Sequence, residues 1–144
     1  MAVKRRQMNE RTIIPARMTT LDKLCPDWAR WPELWSVENA DLVIGQRILE
    51  SLRPFLVDLL QQGLADKTLA RHRDHLQLLG AEIIRRTYDA PGIANQPPDD
   101  LLMNFIEEDG GPLLWPRITE SAQNAFDATC RKLYGFLNQQ NHRS

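Results

Sequence analysis

Lys67, Arg71, Leu78 and Arg85 follow one another at offsets of four, seven and seven residues. On a helix those offsets select one face. With Thr68 near the start of the same helix, such a stripe can hold phosphate oxygens. Asp74 interrupts the stripe, Arg73 lies on its flank, and the same pattern also describes an ordinary solvated face. His72 and His75 stand three residues apart around Asp74, a spacing that suits two metal ligands. However, His72 falls in an apolar stripe and no third ligand is near, whereas zinc requires four convergent ligands or three plus water. No metal and no other cofactor is expected. Trp28, Trp31 and Trp35 recur at three and four, beside Leu34. Such a segment either folds back over an open end of the core or presents a partner-binding surface, where Trp is favoured. Cys25 and Cys130 are expected as packed thiols rather than nucleophiles. Glu107, Glu108 and Asp109 precede Gly110-Gly111 as an acidic knot, expected at a solvated helix end. No catalytic motif is present, and the expectation is that the chain is not an enzyme.

The chain that positions these groups has 144 residues, 42% of them hydrophobic and 26% charged. That is ordinary globular usage and the size of one domain. Two cysteines exclude a disulfide scaffold. Apolar runs are too short for a membrane span, and no apolar signal segment follows the basic start MAVKRRQMNERT. A cytoplasmic location is expected. The net charge of −1 conceals segregation. Residues 1–24 carry six Lys/Arg against two Asp/Glu, whereas residues 89–120 carry one against seven. Residues 63–88 and 121–144 are each basic by two. A polyanion could therefore meet one face but not the whole surface.

The pattern predicts an all-α domain over residues 21–144, preceded by a flexible basic arm over residues 1–20. Pro26 and Pro32 break residues 21–35 into short turns. A first main helix is expected over residues 39–62, capped by Ser36 or Asn39. Its apolar stripe is Leu42, Ile48, Leu49, Leu52, Phe55, Leu56, Leu59 and Leu60. Gly63 marks its end, and Pro54 should kink it or split it near residues 50–53. A second helix is expected over residues 66–88 with Asp66 as cap and Leu69, His72, Leu76, Leu79 and Ile83 inward. Gly80 within it lets another element approach closely. Asp99 or Asp100 should open a short third helix over residues 101–108, with Leu102, Phe105 and Ile106 inward. Thr119 or Ser121 should open the last helix, to about residue 139, on the stripe Ala122, Phe126, Thr129, Leu133, Phe136 and Leu137.

The succession FLVDLLQQGL, DKTLARHRDHLQLLG, a short helix, and a helix closing on LYGFL resembles the core-binding domain of tyrosine recombinases of the phage-integrase type. The likeness runs over about residues 42–138, with Lys67-Thr68 its most specific element. The stretches LLGAEIIRR and FDATCRKLYGFL are also similar to a group of small bacterial proteins that carry no assigned function. The recombinase likeness implies a four-helix SAM-like bundle that holds duplex DNA through its second and fourth helices. It singles out Arg131 and Lys132 on the last helix, beside the small residues Ala128 and Gly135. The chain departs from the family in three respects. It contains no His-x-x-Arg, so Tyr88 and Tyr134 have no cationic pocket for phosphoryl transfer. Its length leaves no room for a catalytic domain. Ala65 stands where the family favours a capping Ser. The expected function is thus a stand-alone, non-catalytic DNA-binding module. Lys67, Thr68, Arg71, Arg73, Arg131 and Lys132 would grip phosphates, assisted by Lys4, Arg5 and Arg6 of the arm. The alternative is a protein-interaction module that uses Trp28, Trp31 and Trp35 with the acidic third helix.

Overall fold

A computed structural model describes residues 20–90, 92 and 95–143. They are mostly helical, 70%, and contain no strand. In chain order the elements are α1 (Leu21–Leu24), a 3-10 turn (Trp28–Arg30), α2 (Trp31–Trp35), α3 (Asp41–Gln61), α4 (Asp66–Thr87), α5 (Pro98–Met103) and α6 (Glu120–Arg143). The four expected helices correspond to α3, α4, α5 and α6. Of the expected arm only Thr20 is described, and it is a cap: its hydroxyl accepts from the Lys23 amide that opens α1.

α3 lies centrally, against α2, α4, α5 and α6. Ile48, Leu49, Leu52, Phe55, Leu56 and Leu59 form its buried stripe, as their spacing requires. Leu42 is exposed instead, because the inward positions of the first turns are Asp41 and Gly45. Gly45 sits where a Cβ would meet Pro32 at 2.9 Å, so α2 can lie directly on the α3 backbone. Neither Ser36 nor Asn39 caps α3. The Ser36 hydroxyl donates to the Pro32 carbonyl, and Ala40 occupies the capping position. The helix continues through Pro54 without the expected break. Pro54 is on the exposed side, so the missing amide leaves a carbonyl that water can reach. Gly63, at φ 72°, ends the segment.

On α4, Leu69, His72, Leu76, Leu79 and Ile83 are all buried. The capping position is Ala65, with Asp66 one residue inside the helix. A Cβ on Gly80 would fall 2.2 Å from the Trp35 indole, so the close approach is that of α2. α5 is shorter than expected, and Pro97 rather than Asp99 or Asp100 precedes it. Leu102 and Ile106 are buried and Phe105 is partly so, but Phe105 and Ile106 lie in the following turn. That turn closes on reciprocal hydrogen bonds between Glu107 and Gly110. Glu107, Glu108 and Asp109 therefore do not stand at a helix C-terminus, where their charges would oppose the helix dipole. Thr119 caps α6 by accepting from the Ala122 amide. Ala122 itself is exposed, and Gln123 takes the inward place beside Phe126, Thr129, Leu133 and Leu137.

Candidate nucleic-acid interface

α6 meets α4 at a polar contact inside an apolar surround. The Nδ1 atoms of His72 and His75 both lie 2.7 Å from the Thr129 hydroxyl oxygen. A hydroxyl has one proton to give. It can also accept from a ring N–H, so the Thr129 hydroxyl bridges the two histidines. Burial lowers both from the usual histidine range, His72 to about 4, with the charges of Lys132 and Arg71 adding to the effect. The His75 ring meets Phe126 edge-on. Among the described residues no group of three or more His, Cys, Asp or Glu could hold a metal ion.

The same contact orders the cations. Arg71 of α4 and Lys132 of α6 are both exposed and flank this contact, Arg71 next to His72 in the chain and Lys132 three residues past Thr129. Lys67 is one helical turn before Arg71, also exposed. None of the three makes a hydrogen bond or ion pair with another described residue. Thr68 is half-buried in the first turn of α4. Arg73 is not part of this face. Its guanidinium donates to the Leu24 carbonyl at 2.9 Å and to Asp74, which ties α4 to α1. Arg131 donates to the Asp109 carbonyl at 3.1 Å and so leans toward the 104–111 turn. Arg131 and Lys132 do border one groove of about 250 Å³, together with Asp58 and Gln62 of the α3 end. Lys4, Arg5 and Arg6 lie outside the described residues.

The tryptophans do not form a partner surface. Trp31 is 1% exposed, Trp35 is buried and Trp28 is partly covered. Their rings pack in sequence at 5.0 and 5.8 Å between centroids. The Trp31 N–H donates to Asp27, and the Trp35 N–H donates to the Gln77 carbonyl at 2.9 Å. A large apolar ring with a satisfied N–H is a core group. The segment packs over Gly45 and Gly80, the fold-back arrangement of the two expected for Trp28, Trp31 and Trp35, with Trp31 and Trp35 buried and Trp28 partly covered.

Three polar constructions escaped the residue patterns. Buried Asp41 accepts from the Val37 and Glu38 amides and from the Tyr88 hydroxyl, joining the start of α3 to the end of α4. Burial would raise its carboxyl, but these donors outweigh burial and hold it low. The same bond pushes the Tyr88 phenol up to about 12. Buried Gln123 accepts from the Leu114 and Trp115 amides and donates to the Pro112 carbonyl and Asp127, pinning the 112–115 loop to α6. Glu82, 3% exposed, receives Arg85, Arg86 and Arg117 at 2.7, 2.6 and 3.0 Å. Burial alone would raise its carboxyl; the three guanidinium groups bring it down to about 2. The intervals of three and four from Glu82 to Arg85 and Arg86 signal two of these pairs. Nothing local signals Arg117, 35 residues away. Cys25 and Cys130 are buried thiols, both pushed up to about 12 by burial.

No helix among the described residues is long and apolar enough to cross a membrane. Comparison with protein-family models, curated proteins and solved structures gives no match to this chain.

Proposed function

We propose that the chain is a stand-alone, non-catalytic module that binds duplex DNA in the cytoplasm. In this reading α3 to α6 form a four-helix SAM-like bundle like the recombinase core-binding domain that residues 42–138 resemble. One observation supports it: the His72–Thr129 contact joins the second long helix to the last where exposed Arg71 and Lys132 flank it, with no acidic partner engaged among the described residues. Lys67 extends the row by one turn. Because His72 and His75 are neutral, neither competes with phosphate nor adds to the repulsion between the cations. Arg73 and Arg131 hold backbone carbonyls and are support rather than grip.

Three phosphate contacts predict a slope of log affinity on log salt of about −3 for duplex DNA. Lys67→Glu with Arg71→Glu should weaken every sequence alike, because phosphate contacts position a protein without reading bases. Lys132→Glu should add to the loss. Fluorescence anisotropy with a labelled duplex measures all three. Wild-type protein that leaves the duplex free at micromolar concentration and about 50 mM salt refutes the proposal. The alternative, a protein-interaction module, rests on exposed Leu34, Val37 and Val43 around the α2–α3 link rather than on the buried tryptophans. A cross-linking pull-down lost on Val37→Asp with Val43→Asp is its test.

A further inference from the structure

A second cationic surface lies at the far end of α4. Eighteen residues separate Lys67 from Arg85, about 27 Å along the helix at 1.5 Å per residue. At that end Glu82 gathers Arg85, Arg86 and Arg117, so three positive charges surround one negative charge. The surplus faces outward: the side chains of Arg85 and Arg117 are both more than half exposed. Each guanidinium has five donors. Arg85 gives two N–H groups to Glu82 and Arg117 gives one, so the others point away from the carboxylate. The buried carboxylate thereby fixes two outward-facing guanidinium groups before any ligand arrives, which lowers the ordering cost of binding.

The 114–117 turn completes the surface. It closes on the Arg117 amide donating to the Leu114 carbonyl, and both of its ends are anchored, by Gln123 at one and by Glu82 at the other. Its corner carries Trp115, 52% exposed, and Leu113 just before the turn is 63% exposed. The Arg86 guanidinium donates to the Leu113 carbonyl, which ties the chain just before this turn to the end of α4. An indole exposed on a rigid turn is unusual for a residue type that normally buries its ring. Anionic groups with an unstacked planar ring between them fit this arrangement. A duplex hides the faces of its bases, whereas a single strand offers both phosphates and faces.

We infer that the C-terminal end of α4 and the 114–117 turn form a binding site for single-stranded nucleic acid, with Arg85 and Arg117 on phosphates and a base stacked on Trp115. The site is separate from the duplex-binding face proposed above, and neither depends on the other.

The test is fluorescence anisotropy of the full chain with a labelled oligothymidylate and an oligouridylate of about twelve nucleotides at low salt. Trp115→Ala should weaken binding about tenfold, the scale of one lost base–aromatic stack. Arg85→Ala with Arg117→Ala should flatten the salt slope by about 1.4, two contacts at about 0.7 each for a single strand. Arg86 still pairs Glu82 in that variant, and circular dichroism checks that it folds. At about 0.1 M salt Lys67→Glu with Arg71→Glu should leave single-strand affinity within about twofold, because charge is there screened over about 10 Å, well inside about 27 Å. Four results overturn the inference: no binding of either strand by the wild type, affinity indifferent to Trp115→Ala, loss confined to the Lys67 and Arg71 variant, or equal competition by a poly-glutamate peptide. Failure of the duplex assay alone leaves this site standing, and failure here leaves the duplex proposal standing.

Discussion

Replacing Glu82 by Gln keeps shape and hydrogen-bonding capacity but removes the charge that three arginines address. In the folded chain the three guanidinium groups bring this carboxyl from its ordinary 4.5 down to about 2. The folded pKa is depressed, so the unfolded chain binds the extra proton and stability rises with pH across the interval. The contribution is fully present above about 4.5 and lost as pH falls through about 2. That difference corresponds to about 3 kcal/mol at neutral pH. Half-exposed Arg85 and Arg117 are partly screened by water, which reduces this to about 2–3 kcal/mol. A protonated Glu and a Gln are close in structure, so the two proteins should converge in acid. Evaluating the same linkage at pH 3 gives a loss of about 2 kcal/mol from the wild type relative to pH 6. The assay is urea unfolding followed by dichroism at intervals between pH 6 and pH 3, with the variant beside the wild type. The difference in unfolding free energy should be about 2–3 kcal/mol at pH 6 and should shrink by most of that amount by pH 3. A gap that stays constant across the range, or no gap at pH 6, would refute the caged-carboxylate account.

Gly80→Ala should destabilise by about 1–3 kcal/mol in thermal or urea melts, because overpacking against Trp35 outweighs the helix propensity gained. Trp31→Ala should cost about 3 kcal/mol or more, the range for emptying a fully buried aromatic site. Thr129→Val removes the common partner of two buried ring nitrogens and should cost about 1–3 kcal/mol at neutral pH. His72 titrates in the opposite sense to an ordinary stabilising histidine: its folded pKa is lowered to about 4. Its neutral form therefore contributes stability above about 6.5, and that contribution is lost as pH falls through about 4. NMR titration of the ring carbons should place its midpoint well below that of a histidine in an unstructured peptide. Cys25 and Cys130 should react with a thiol reagent only as fast as the chain opens, with both reacting promptly in denaturant.

The long helices were legible because their apolar residues repeat at three and four over about three to four turns. Ile48 to Leu59 on α3 and Leu69 to Ile83 on α4 announce both the helix and its buried side. The ends were less legible. Ser36, Asn39 and Asp66 have capping chemistry, but α3 starts against the Asp41 construction, whose Tyr88 donor is 47 residues away. Leu42 and Ala122 fit their stripes by spacing, yet in those first turns polar Asp41 and Gln123 take the buried places. Pro54 illustrates the difference between a local penalty and its outcome. A proline on the exposed side of a helix packed along its opposite face forfeits one hydrogen bond, and the packing on either side holds the helix through it.

The charged groups were harder to assign, because a basic side chain can reach many acceptors and the spacing says only which face it leaves from. Arg73 is placed on the flank of the phosphate-gripping row by its offset, and Arg131 beside it by the recombinase likeness. Each holds a backbone carbonyl, of Leu24 and of Asp109. What separates a structural arginine from an available one is whether a buried acceptor lies within its reach, and that is a tertiary fact. The histidines show the same dependence in reverse. His72 and His75 resembled a ligand pair, but Thr129 arrives from α6 and occupies both Nδ1 atoms at once. That contact lies where α6 meets α4, between Arg71 and Lys132 in the two helices. The cationic face is thus a consequence of a neutral, buried polar contact. If either histidine were charged at neutral pH, the crossing would bring four positive groups together with no buried carboxylate to offset them. Desolvation, which keeps both rings neutral, is what permits two helices of a net acidic chain to bring their cations to one side.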